Sequence, residues 1–95
     1  MQTEENYLLL CLAEEAAEVS QACMKILRFG KHTDHPVTRE TNVYKLIEEF
    51  SQLVSVWGSL QKLDPNIQID TEVVIDKQEA LRKYMAISRA LGMLK

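Results

Sequence analysis

Glutamates concentrate near the start of this chain, and no basic residue balances them. Residues 1–24 contain five Glu and no Lys, Arg or His. Glu14 and Glu18 are spaced i,i+4 and Glu15 and Glu18 i,i+3, so a helix would place like charges side by side, which is mildly unfavourable. A divalent cation would supply the missing positive charge, and carboxylate oxygens are the ligands that Mg²⁺ prefers.

Some of these carboxylates fall on the apolar faces of predicted helices. On a helical wheel, with successive residues about 100° apart, the apolar residues of each predicted helix form an arc. Glu15 lies within or at the edge of the arc of the first helix, and Glu18 lies roughly 60° further round. Glu49 lies inside the second arc, and Gln52 follows one turn later at its edge. The two arcs comprise Leu8, Leu12, Val19, Cys23 and Ile26, and Leu46, Leu53, Val56, Trp57 and Leu60. Because a buried, unpaired carboxylate is costly, Glu15 and Glu49 are candidate site residues.

The simpler interpretation makes Glu15 a boundary residue whose carboxylate reaches solvent. The helical wheel places Glu14 further from the apolar arc than Glu18, and it places Glu48 opposite Glu49. Glu14 and Glu48 are therefore predicted to be solvent-exposed. On a third predicted helix, Lys77 falls on an inner face formed by Val73, Ala80, Tyr84, Ile87 and Leu91. Its stem could pack while its ammonium group reaches water. Beside three inward glutamates, Lys77 is instead a candidate ligand for phosphate.

Carboxylates from two helices, a divalent cation and a lysine together suit the hydrolysis of a phosphoanhydride, because the metal neutralises phosphate charge and activates water. The chain has no P-loop glycine pattern. A di-iron site in a helical bundle normally uses a Glu-x-x-His motif, but His32 and His35 lie outside the predicted helices. These two histidines also lack the third and fourth ligands that a structural zinc site requires.

Cap and stop signals divide the chain into three long helices. Thr3 begins a helical pattern that ends near Phe29, where Gly30 follows. Thr41 or Asn42 caps a second helix to about Leu63, and Asp70 or Thr71 caps a third to about Leu91. A polar loop, residues 31–40, lies between the first two helices. The sequence does not decide whether this loop contains a short extra helix. We therefore predict one all-α domain spanning residues 1–95.

Ninety-five residues in long helices cover their apolar stripes poorly, so the predicted bundle is completed by dimerisation. The formal net charge of −3 lacks the basic footprint of a protein that binds a nucleic acid polymer. No apolar run approaches the roughly 20 residues of a membrane span. The polar, acidic start does not resemble a signal peptide, which favours a cytoplasmic location.

Two motifs resemble those of MazG-like nucleoside triphosphate pyrophosphohydrolases. Glu14-Glu15-Ala16-Ala17-Glu18 resembles their EExxE motif, and Leu46-Ile47-Glu48-Glu49-Phe50-Ser51-Gln52-Leu53 resembles their second motif, in which ExxD follows on another helix. The chain also resembles small phage and bacterial members of the family in three further places: residues 26–31, Thr41-Asn42 and the stretch around Lys77, Lys83 and Tyr84. The resemblance covers nearly the whole chain.

The resemblance implies an all-α fold that forms dimers or tetramers and an Mg²⁺-dependent activity, with Mn²⁺ as a substitute. The expected reaction converts a nucleoside triphosphate, often a deoxynucleotide, to the monophosphate and pyrophosphate. Glu15, Glu18 and Glu49 would be the catalytic residues and metal ligands. Gln52 would be a fourth ligand, but it stands where the family has Asp. Its amide offers a carbonyl oxygen, brings no charge and cannot act as a base.

Several further residues would bind substrate in this interpretation: Lys77 and Tyr84 on the third helix, and Arg28, Lys31 and Asn42 around the first loop. Trp57 or Phe29 could stack on a base, although both are more simply core or dimer-interface residues. Two other functions remain open. One is a degenerate family member that binds a nucleotide or a protein partner without turnover, and the other is a plain helical dimerisation module.

Overall fold

Three helices account for the regular structure of the protein, whose computed structural model describes residues 2–95. Helix α1 spans Glu4–Phe29, α2 spans Asn42–Leu63 and α3 spans Thr71–Ala90, and no strand occurs within residues 2–95. The all-α prediction is therefore confirmed. None of the helices in this described part of the chain is both long and apolar enough to cross a bilayer.

Each helix begins at a side chain that caps its first turn. The Thr3 hydroxyl accepts a hydrogen bond from the Asn6 N–H, and the Thr41 hydroxyl accepts one from the Tyr44 N–H. Asp70 accepts from two backbone N–H groups at the start of α3. These caps satisfy donors that have no partner inside a helix, so the predicted starts are confirmed.

The connection between α1 and α2 is an ordered loop without a helix. Gly30 ends α1 with a φ of 94°, a backbone conformation that side chains other than glycine's disfavour. Arg39 also has a positive φ, of 65°. Asp34 and Thr41 form an isolated antiparallel bridge. The extra helix left open for residues 31–40 is therefore absent, because the loop folds back on itself instead.

Helices α1 and α2 pack against each other as a hairpin. Among residues 2–95, the buried apolar side chains are Ala22 and Leu60, at 3% and 1% exposure, and Glu49 is buried between the two helices at 5%. Leu8 and Leu63 line a common cavity at the end of the hairpin opposite the loop. The hairpin thus has a narrow core, and a carboxylate forms part of it.

Helix α3 stands apart from this hairpin. No Cα atom of α3 lies within 8 Å of one in α1 or α2. Of its predicted inner face only Ala80 is half-buried, whereas Val73, Tyr84, Ile87 and Leu91 are exposed. The predicted inner face of α3 therefore does not pack against α1 or α2 of the same chain.

Candidate metal centre

Three glutamates from two helices converge where α1 crosses α2. Glu15, Glu18 and Glu49 each offer a carboxylate oxygen, and these atoms lie within 4.8 Å of one another. Glu15 and Glu18 are one turn apart on α1, so both face the same part of α2. Glu49 is buried, Glu15 half-buried and Glu18 exposed. The three predicted ligands therefore form one group, which opens to solvent at Glu18.

Gln52 lies against the same group, as its position one turn after Glu49 predicts. With its amide nitrogen turned toward the carboxylates, Gln52 donates hydrogen bonds to Oε2 of Glu49 and Oε2 of Glu15, both at 3.2 Å. This orientation satisfies both carboxylates, whereas the opposite one would place three oxygens face to face. Metal ligation by Gln52 would require the amide to turn its oxygen inward, and it stays a prediction.

The close approach of like charges alters how the cluster holds protons. A hydrogen bond to Glu49, followed by repulsion from Glu49 and Glu15, raises the pKa of Glu18 to about 7. The same hydrogen bond, followed by that from Lys45, lowers the pKa of Glu49. A proton on Glu18 therefore partly relieves the repulsion near neutral pH, as a cation would.

Lys45, which was not among the predicted site residues, supports the cluster from one side. Its Nζ atom lies 3.0 Å from Oε1 of Glu49 and 3.0 Å from Oε1 of Glu48. The hydrogen bond to Glu49 is the main reason that the pKa of Lys45 is raised. Lys45 bonds the Oε1 atom of Glu49, and the Oε2 atom of Glu49 lies 3.2 Å from the amide group of Gln52. The i,i+4 spacing of Lys45 and Glu49 was the available sequence signal.

The two glutamates predicted to face solvent differ in their environments. Glu14 is exposed, which confirms its prediction. Glu48 is not on the far side of α2, because its side chain is only 30% exposed and pairs with Lys45. It lines the same cavity as Glu49. The wheel prediction for Glu48 is wrong, because a long side chain can bend round the helix toward a cation.

Two cavities flank the cluster and share Lys25 and Lys45 as lining residues. The acidic cavity, of about 420 Å³, contains Glu18, Glu49 and Gln52 in its walls. The loop cavity, of about 630 Å³, lies between residues 33–42 and the ends of α1 and α2. Among residues 2–95, Lys25 forms no ion pair within 4.0 Å. An unpaired ammonium group thus lies at the boundary between the two cavities.

The predicted substrate-binding residues fall into two groups. Asn42 lines the loop cavity, whereas Arg28 and Lys31 are exposed nearby and line neither cavity. The Arg28 guanidinium lies 5.9 Å from the centre of the Phe29 ring. Lys77 and Tyr84, on α3, do not line these cavities of their own chain. A single chain therefore does not bring the α3 residues to the glutamates.

The donor set fits a hard divalent cation. The three carboxylates offer oxygen atoms only, which suits Mg²⁺ or Mn²⁺ better than zinc. No histidine belongs to the group within the part of the chain that the structure describes, as a di-iron site of the usual type would need.

Comparison with family models, curated proteins and solved structures finds no match for this chain.

Proposed function

We propose that this protein hydrolyses a nucleoside or deoxynucleoside triphosphate to the monophosphate and pyrophosphate. The observation that carries the proposal is the convergence of Glu15, Glu18 and the buried Glu49 within 4.8 Å. In the reaction one water is consumed, the P–O bond of the α–β anhydride breaks and the water oxygen forms a new P–O bond. The protons of water end on the products and in solvent. The resemblance to MazG-like enzymes supports the same reaction.

Glu15, Glu18 and Glu49 would hold Mg²⁺ or Mn²⁺, with Gln52 as a neutral fourth ligand. When bound, the metal would neutralise phosphate charge and lower the pKa of a water molecule. Lys45 fixes the carboxylate of Glu49 through Oε1 and leaves Oε2 directed at the cluster. Glu18, the exposed member, would give up its proton when the cation binds.

Lys25 is the residue best placed to hold a phosphate beside the cluster. It has no carboxylate partner among the described residues and lines both cavities. Lysine binds phosphate as a point charge, without the fixed geometry of arginine. Arg28, Lys31 and Asn42 would support substrate from around the loop.

The active form in this proposal is a homodimer or a higher oligomer. The single chain exposes 7903 Å², whereas a compact monomer of this mass exposes about 5,600 Å². Its radius of gyration is 17.1 Å, against about 12 Å for a compact domain. If a second copy covered the excess, the pair would bury about 4,600 Å², which is within the range of obligate dimers.

A second copy would also account for Lys77 and Tyr84. Because α3 lies away from its own hairpin, these residues would reach a metal centre only by packing against the hairpin of another chain. We therefore propose that Lys77 and Tyr84 bind phosphate in the site of the partner chain.

The experiment that tests the reaction is a panel of ribonucleoside and deoxynucleoside triphosphates, incubated with purified protein and Mg²⁺. We expect pyrophosphate and the monophosphate in equal amounts from at least one nucleotide, and none with EDTA. Absence of pyrophosphate from every nucleotide, in protein whose helical circular dichroism is intact, would refute the proposal. Release of inorganic phosphate instead would contradict cleavage at the α–β anhydride.

One observation favours a second candidate, a degenerate member that binds a nucleotide without turnover. With its amide nitrogen turned toward the carboxylates, Gln52 would donate to both Glu15 and Glu49, and a neutral amide would partly stabilise the carboxylates in place of a metal. Calorimetry showing tight nucleotide binding, combined with no product in the panel, would identify this case.

A further inference from the structure

The loop cavity is a preformed feature of the protein. Asn42 donates from Nδ2 to the carbonyl of Gly30 at 2.9 Å, which joins the start of α2 to the end of α1. The Thr33 hydroxyl donates to the carbonyl of Phe29. His35 accepts at Nδ1 from the N–H groups of Val37 and Thr38 at 3.1 and 3.2 Å. These bonds hold the wall of the cavity against both helices.

The start of α2 does not offer its backbone to a phosphate. The Asn42 N–H donates to the carbonyl of Thr33 at 3.2 Å, and the Val43 N–H donates to that of Lys31 at 2.9 Å. The next N–H, of Tyr44, donates to the Thr41 hydroxyl. The donors that would bind an anion at a helix start are therefore already used by the loop and the cap.

Charge is distributed unequally around the loop cavity. Its cations, Lys25 and Lys45, lie on the wall shared with the acidic cavity, whereas Asp34 and Glu40 belong to the loop wall. Lys45 is paired with Glu48 and Glu49, and Asp34 is paired with Arg39, which leaves Lys25 and Glu40 as the unpaired charges among the described lining residues. A phosphate chain would therefore be attracted to Lys25 and repelled by Glu40. The uncharged part of a ligand whose phosphates lie beside Lys25 would therefore extend toward the loop.

The remaining lining suits a flat, partly polar group. Phe29 lines the cavity and is 58% exposed, which leaves ring surface open for stacking. His35 accepts at Nδ1, so its neutral form carries hydrogen on Nε2 and can donate to a ligand. Asn42 uses Nδ2 and keeps its carbonyl oxygen as an acceptor. The volume of about 630 Å³ lies within the usual range for small-molecule sites.

We infer that the loop cavity is the nucleoside subsite of the proposed enzyme. The base stacks on Phe29, the sugar lies between the base and Lys25, and the phosphates pass Lys25 and Lys45 toward the glutamates. This inference rests on the proposed function, because it requires a phosphorylated nucleoside as ligand. It gives exposed Phe29 a binding role instead of a role in a core or dimer interface.

The first test compares Phe29→Ala and Phe29→Tyr with a matched control, Tyr7→Ala. Tyr7 is 59% exposed and lies at the other end of α1. We expect Phe29→Ala to raise the KM for the hydrolysed nucleotide by about tenfold or more, the usual effect of losing one stacking contact. The kcat should change by less than about twofold, because uniform binding energy is lost. Phe29→Tyr should keep KM near the wild-type value.

An unchanged KM in Phe29→Ala, or an equal rise in Tyr7→Ala, would overturn the inference while leaving the proposed reaction intact. A second test does not require turnover. Isotope-labelled protein is titrated in EDTA with each deoxynucleoside monophosphate and separately with tripolyphosphate, and backbone amide shifts are followed by NMR. We expect the monophosphates to shift signals of residues 29–42, and tripolyphosphate to act mainly around Lys25 and Lys45.

Loop shifts from a monophosphate without hydrolysis of any triphosphate would support the subsite and refute the proposed reaction. Hydrolysis accompanied by shifts only outside residues 29–42 would support the proposed reaction and overturn the nucleoside subsite. Shifts of the loop that appear with protein concentration alone would assign the cavity to a second copy of the chain, and so would also overturn the inference.

Discussion

At the residue scale, Glu18 links the cluster to pH. Its pKa is raised to about 7 from an ordinary value of 4.5, because it shares a hydrogen bond with Glu49 and is repelled by Glu49 and Glu15. A raised pKa means that the folded, metal-free protein holds this proton more tightly than the unfolded chain does. The stability contributed by Glu18 is therefore fully present below pH 4.5 and is lost as pH rises through about 7.

We predict that Glu18→Gln removes this dependence, because a glutamine remains a neutral hydrogen-bond partner for Glu49 at every pH. In EDTA, the free energy of unfolding of Glu18→Gln relative to wild type should rise between pH 4.5 and pH 8. Urea unfolding at several pH values measures it. Glu14→Gln, an exposed neighbour outside the cluster, is the control and should show no such trend. A flat difference for Glu18→Gln would contradict the coupling of Glu18 to Glu49.

Gln52 is the second residue at which the chemistry of the site can be altered. We predict that Gln52→Asp lowers the Mg²⁺ concentration needed for half-maximal pyrophosphate release by about tenfold, equivalent to about 1.4 kcal/mol. The reason is a fourth carboxylate beside Glu15 and Glu49. Gln21→Asp adds the same charge to the acidic cavity outside the ligand group and serves as control. Equal effects in the two variants would show general electrostatic attraction instead of direct ligation.

At the element scale, two glycines have opposite effects on stability, Gly30 at the end of α1 and Gly58 inside α2. Gly30 ends α1 at a φ of 94° and a ψ of 157°, which only glycine adopts without strain. Gly58 lies inside α2, and a methyl group there would meet no atom within 4 Å. We predict that Gly30→Ala lowers the free energy of unfolding by about 1–3 kcal/mol. Gly58→Ala should raise it by about 0.5–1 kcal/mol. Thermal or urea unfolding of both variants decides this, and a stabilising Gly30→Ala would contradict the described loop geometry.

The helices were predictable because their signals are local. Thr3, Thr41 and Asp70 cap their own first turns, and Gly30 ends α1 within one residue. The cluster was predictable because helical periodicity places Glu15 and Glu49 on apolar faces, and because the spacing from Glu15 and the motif resemblance add Glu18.

Other features depend on contacts that periodicity does not encode. The bend of Glu48 toward Lys45 depends on side-chain conformation. The loop cavity depends on hydrogen bonds between residues far apart in sequence, such as Asn42 and Gly30. The position of α3 depends on which surface covers its apolar residues, and the wheel identified an inner face without identifying what it packs against.

At the scale of the whole molecule, the uncovered α3 leads to a prediction about assembly. Light scattering should give a mass of at least twice the 10.9 kDa of one chain. Mixing then tests whether α3 acts on the partner. Glu49→Gln and Lys77→Ala should each be inactive alone. After mixing with subunit exchange, a heterodimer holds one site in which both residues are intact.

That mixture should recover about a quarter of the wild-type rate, because half of the dimers are mixed and each has one complete site. No recovery in a mixture shown to exchange subunits would contradict delivery of Lys77 by the partner. A monomeric mass at micromolar concentration would contradict the assembly itself.

The central claim is that three glutamates on α1 and α2 hold a cation that promotes hydrolysis of a nucleoside triphosphate. The most direct measurement is Mg²⁺-dependent pyrophosphate release by wild type, Glu49→Gln and the control Glu14→Gln, side by side. We predict that wild type and Glu14→Gln release pyrophosphate at similar rates, and that Glu49→Gln loses at least about a hundredfold, equivalent to about 2.7 kcal/mol. Wild-type rates in a folded Glu49→Gln variant would contradict the claim.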